Sequence, residues 1–148
     1  MESSQQQLKE WIRRYEMADF TVERRMHAKV KDLMPEELTV DQFQMLRYLR
    51  HHERSTASEL AEVFCVGKSS VTAIITRLSD KGLINRLPEE KDRRVINIVL
   101  TEEGIRICDL MEDQVQNVLA GIIDQFDEKE AIAFIETFEK LARAVMKL

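Results

Sequence analysis

The sequence predicts a mainly α fold interrupted by one small β-hairpin. Three observations lead there. The 148 residues include only four Gly and two Pro, so little breaks long helices. Apolar residues recur every three or four positions through most of the chain, the period of a helix with one buried face. That period fails across PEEKDRRVINIVLTEEG, Pro88 to Gly104, where a proline and a charged run give way to the mostly β-branched Val95 to Leu100.

The elements follow in order. Leu8, Ile12, Tyr15, Ala18, Val22, Met26, Val30 and Leu33 form one stripe on a first helix expected over residues 5–34. Met34-Pro35 ends it, because the residue before proline avoids the α region. Thr39 to Gln42 (TVDQ) fits a capping box, ahead of Phe43, Leu46 and Leu49 on a buried face, with Arg47 and Arg50 pointing elsewhere. A second box, Thr56 to Glu59 (TASE), opens a short helix through Phe64. After a break at Cys65-Val66-Gly67, a further helix starts at Lys68 or Ser69, runs to about Asp80 and stops at Gly82 in a left-handed cap. Leu83 to Leu87 and Val95 to Leu100 are then two strands of a hairpin. Thr101 caps a long helix with Cys108, Met111, Val115, Val118 and Ile122 on a coiled-coil-like seam. Asp127 to Glu130 starts a last helix with Ile132, Ile135, Phe138, Leu141, Val145 and Leu148 inside.

Composition bounds the function. At 44% hydrophobic and 33% charged residues the chain is globular rather than disordered. No apolar run approaches the roughly 20 residues that span a bilayer. The start, MESSQQQLKEW, lacks the apolar centre of a signal peptide. A cytoplasmic protein with no membrane partner is expected. Cys65 and Cys108 have no metal-ligand or redox spacing and are expected to be reduced structural thiols. The net charge of −5 hides an asymmetry. Val66 to Arg94 carries seven bases against four acids, and Thr101 to Leu148 five bases against eleven acids. A basic middle between acidic flanks is the footprint of a local anion-binding surface.

Two short helices joined by a tight turn make a helix-turn-helix candidate. The second helix, KSSVTAIITRLSDKG, buries Val71, Ile74, Ile75 and Leu78. Its other face carries Lys68, Ser69, Ser70, Thr72, Ala73, Thr76 and Arg77, with no acid before Asp80. A helix entering the major groove needs that composition: small residues permit close approach, hydroxyls and Lys reach phosphates and base edges, and an acid would be repelled. An ordinary solvated face usually mixes acids with bases. A hairpin directly after such a helix is a wing, and Arg93 and Arg94 near its tip suit a narrow, electronegative minor groove. Asp92 is expected to pair with Arg94 or cap the loop.

From ELAEVFCVGKSSVTAIITRLSDKGLINRLPEEKDRRVINIVLTEEG the chain resembles the MarR (multiple antibiotic resistance regulator) family of winged-helix transcription factors, most strongly from about Leu38 to Gly104. The family's D-x-R wing signature stands as Asp92-Arg93-Arg94. The resemblance implies a winged helix-turn-helix lobe over 38–101, with dimerisation helices at 5–34 and 102–148. It implies a homodimer on double-stranded DNA at a pseudo-palindromic operator, most readily as a repressor. Lys68, Ser69, Ser70, Thr72, Thr76 and Arg77 would be recognition-helix contacts, Thr56 and Ser58 would touch phosphate, and Arg94 would be the wing arginine. Gly67 departs from the family's frequent capping Ser, which weakens that N-cap.

Many family members release DNA when a small phenolic or lipophilic effector binds. Here the sequence leaves the ligand-binding residues unknown. Tyr15, Phe20, Phe43 and Tyr48 read as plain core before they read as a pocket lining. Cys65, in the turn before the recognition helix, has redox sensing as its lesser reading. His51-His52-Glu53 reads as a polar helix end, since helix neighbours do not converge on one ion and zinc takes about four ligands. No metal or other cofactor is expected. The rival function is a winged-helix protein-interaction module that does not bind DNA, which the net charge permits and the acid-free face argues against. An enzyme is not expected, because no P-loop, dinucleotide fingerprint or nucleophile motif occurs.

Overall fold

The computed structural model describes residues 2–148. Its elements in order are α1 (Glu2–Leu33), α2 (Val40–His52), α3 (Ala57–Phe64), α4 (Lys68–Asp80), β1 (Ile84–Pro88), β2 (Ile96–Leu100), α5 (Glu102–Ile123) and α6 (Glu128–Val145). They divide into two compact units, the first ending at Glu112 within α5 and the second running from Asp113 to Leu148.

The first unit holds the core. Phe43, Met45, Leu46 and Leu49 of α2 are buried with Leu60 of α3, Val71, Ile75 and Leu78 of α4, Ile84 and Ile98 of the hairpin, and Cys108 and Met111 of α5. Each fully buried large side chain stabilises by roughly 1.5–3 kcal/mol relative to exposure. The caps fix where the helices begin. Thr39 and Gln42 form a complete reciprocal capping box on α2. At α3 the box is one-sided: the Thr56 hydroxyl accepts from Glu59 N, with no return bond from the Glu59 side chain among the described residues. Cys65 closes α3 in the left-handed region at φ 53°, a conformation that costs an L-residue about 1 kcal/mol. Gly82 takes the same region after α4, at φ 72°, without that cost.

β1 and β2 pair antiparallel, with Ile84 opposite Leu100 and Pro88 opposite Ile96. Both strands begin one residue later than the residue pattern suggests. Leu83 is a buried turn residue whose carbonyl accepts from Thr101 N, and Val95 N donates to Asp92 O, which makes Val95 part of the tip. Ser55, between α2 and α3, exchanges two backbone bonds with Ile98, so β2 is paired on both sides there. Thr101 straps the base of the hairpin to α5: its hydroxyl donates to Gly82 O at 2.7 Å and accepts from Gly104 N at 3.0 Å. Gly104 has to be glycine, because a Cβ there would lie 2.1 Å from Leu83 O.

Two expectations about burial need correction. On α6, Ile132, Ile135, Phe138 and Val145 are exposed, as is Leu148 beyond the helix, and only Leu141 is half-buried. The stripe exists, but the described residues of its own unit leave it uncovered. On α1, Tyr15 and Phe20 are likewise exposed rather than core, whereas Phe43 is fully buried and Tyr48 half-buried.

Candidate nucleic-acid interface

The site is built on α4. Helical period directs Val71, Ile75 and Leu78 into the core, and this turns Lys68, Ser69, Ser70, Thr72, Ala73, Thr76 and Arg77 outward, all of them exposed. No acid stands in the first turn, and Gly67 provides the N-cap with no side-chain bond. The first-turn N–H groups therefore present partial positive charge with no carboxylate to offset it. Thr72 Oγ1 donates back to Lys68 O at 2.8 Å. Ahead of α4, Ser58 on α3 is exposed, while the Thr56 hydroxyl is already engaged as the α3 cap.

The wing stands beside α4 because Ile84 and Ile98 are buried in the same core and Ser55 pins β2. Its tip is tied by Asp92. Asp92 Oδ1 accepts from Arg94 N at 3.1 Å and from Arg94 Nε at 3.0 Å, and Oδ2 accepts from Nη2 at 3.2 Å. The Arg94 guanidinium, and after it the Arg94 backbone N–H, holds the Asp92 carboxyl below the ordinary carboxylate range. Arg94 nevertheless keeps 92% of its side-chain surface exposed, so the pairing orients it without hiding it. Arg93 is exposed beside it.

Sequence reasoning missed two features. Arg86 on β1 donates from Nη2 to Thr76 Oγ1 at 3.2 Å, which joins the wing to the exposed face of α4. Strand alternation was the available signal, since Arg86 lies two residues from buried Ile84 and so shares its face. The second feature ties α2 to α5. Glu112 Oε1 accepts from Arg47 Nε at 3.2 Å and lies 2.6 Å from His51 Nε2, and Arg50 Nε donates to Asp109 at 2.9 Å. His52 turns away, with its Nδ1 2.8 Å from Tyr48 O and its ring stacked on Tyr48. Cys108, Asp109 and Glu112 each bring one ligand-type atom within 4.8 Å of the others, but the two carboxylates are already partnered by the arginines.

The two cysteines differ. Burial, and then the neighbouring Glu112 and Asp109 charges, push the Cys108 thiol up to about 11. Cys65 is exposed, not packed as expected, because the left-handed cap position turns it to solvent. Among the described residues no helix is long and apolar enough to cross a membrane.

Comparison with known proteins agrees with this geometry. The MarR family pattern matches residues 38–96. The HTH-type transcriptional repressor MdtR of Bacillus subtilis is 34% identical over 108 residues, covering 72% of this chain and 69% of that protein. A MarR family protein from Bacillus stearothermophilus has a similar structure, with a TM-score of 0.76 at 25% identity over 99% of this chain and 98% of that one. A mutant MarR from E. coli complexed with operator DNA matches with a TM-score of 0.72 at 25% identity, over 85% of this chain and 91% of that one. With its winged helix-turn-helix and these relatives, the chain belongs to the MarR family and is a DNA-binding transcription regulator.

Proposed function

We propose that the protein is a homodimeric repressor, working in the cytoplasm, that reads a pseudo-palindromic operator with two copies of α4 and two wings. The observation that carries this reading is the exposed, acid-free face of α4 from Lys68 to Arg77, set beside a wing whose tip presents Arg93 and Arg94. In this reading Ser69, Ser70, Thr72, Thr76 and Arg77 meet base edges, and Lys68, Thr56 and Ser58 meet phosphate. Arg94, steadied by Asp92, enters the minor groove with Arg93 beside it. Repression rather than activation is supported by the name of MdtR.

A dimer is needed because the recognition helices must stand about 34 Å apart to meet successive major grooves on one side of the duplex. The uncovered apolar residues of α1 (Leu8, Ile12, Tyr15) and of α6 (Ile132, Ile135, Phe138) are the surfaces such a dimer would bury. Relief by a small-molecule effector belongs to the same proposal, and a screen of phenolic and lipophilic compounds for operator release tests it.

The primary test is selection from random duplex DNA at two salt concentrations, followed by sequencing. Enrichment of a pseudo-palindrome is expected, with affinity falling steeply in salt as Lys and Arg displace counterions. Arg94→Ala should weaken binding to many sequences, while changes at Ser70 or Thr72 should alter preference between them. Arg94→Ala binding like the parent would remove the wing from the interface.

A further inference from the structure

Thr72 and Thr76 stand one turn apart on the exposed face of α4, yet their hydroxyls are wired oppositely. A hydroxyl has one proton to donate and two lone pairs. Thr72 has committed its proton to Lys68 O at 2.8 Å. Thr76 makes no such back-bond among the described residues, and its Oγ1 instead accepts from Arg86 Nη2 at 3.2 Å. Arginine can only donate, so this bond consumes a lone pair of Thr76 and leaves its proton free. Arg86 makes no ion pair among the described residues, so no carboxylate competes for it. Its place is fixed from behind: it lies opposite Ile98, the residue that Ser55 pins, and two positions from buried Ile84.

We propose that Arg86 is a specificity-determining positioning residue, which presents Thr76 to DNA as a hydrogen-bond donor. This deepens the DNA-reading proposal above and rests on it. Thr76 then suits base acceptors, N7 or O6 of guanine, N7 of adenine or O4 of thymine. Thr72, its proton spent, suits donors, N4 of cytosine or N6 of adenine, or sets its methyl against that of thymine. The wing thereby acts on base readout through the helix, separately from any contact made by its tip.

The test is selection and sequencing with the parent, Arg86→Ala, Arg86→Lys, Thr76→Val and the Arg86→Ala/Thr76→Val double variant. The expected result is loss of about fivefold discrimination, the worth of one net hydrogen bond, at a single half-site position. The same position should respond in both single variants, and the double variant should lose no more than either. Arg86→Lys, which keeps the charge and a donor, should recover part of the preference. Two results would overturn the proposal: an unchanged base profile in Arg86→Ala, or uniform weakening across sequences with a salt slope reduced by about one, the mark of a phosphate contact. If the parent itself enriches no sequence, the DNA-reading proposal fails first and this one falls with it.

Discussion

The Asp92–Arg94 pair and the two cysteines give predictions at the scale of single residues. Because Arg94 depresses the Asp92 pKa, the pair's contribution is present above the unfolded-state pKa and is lost as pH falls through the lower folded value. The wing tip should therefore stay tied at mildly acidic pH. An NMR titration should find the Asp92 carboxyl below the ordinary carboxylate range, and Arg94→Ala should return it towards that range. Cys108 runs the other way. Burial pushes its folded pKa up to about 11, above the ordinary thiol value, so its neutral thiol supports the fold fully below the ordinary value and that support is lost as pH rises towards 11. At pH 8 a thiol reagent should modify exposed Cys65 quickly in the native protein and reach buried Cys108 only after unfolding. Rapid modification of both in the native state would contradict the burial of α5.

At the scale of elements, the junction of α5 with the hairpin is the most constrained point. Glycine to alanine inside a helix usually gains up to about 1 kcal/mol. Gly104→Ala should instead lose roughly 1–3 kcal/mol in chemical denaturation, since the new Cβ would collide with Leu83 O. The sign of that change decides the matter. Glu112→Ala should cost up to about 1 kcal/mol, read from the same denaturation curves, since Arg47 and His51 lose their shared acceptor but are exposed enough to turn to water. The helices were legible because their signals are local. Lys68, Asp80 and Gly82 bound α4 as the capping and apolar pattern requires, and Thr101 and Asp127 cap α5 and α6. The hairpin was legible to within a residue, since the edge of a β-branched run does not say where pairing begins. The acid-free face of α4 could be read directly from helical period. What could not be read depends on non-local placement: Arg86 reaches Thr76 only once the wing folds against α4, and His51 meets Glu112 across 61 residues. The exposed stripe of α6 misled for a related reason, because periodicity identifies an apolar face without saying what, if anything, covers it.

For the whole molecule, the uncovered apolar residues of α1 and α6 predict a dimer by light scattering. Phe138→Glu, beside its stacked neighbour Phe134, should yield monomers that lose operator affinity. A dimer indifferent to this change would move the interface away from α6. The bridge between Ser55 and Ile98 has a consequence for how many copies of this protein coexist. It pairs the outer side of β2 at Ile98, while the outer side of β1 has no strand partner among the described residues. An open edge is a template on which a foreign strand can grow. β1 carries charged Arg86 and ends in Pro88, which has no N–H to offer a newcomer. The wing can thus stand out from the body without seeding strand-by-strand aggregation between neighbouring molecules.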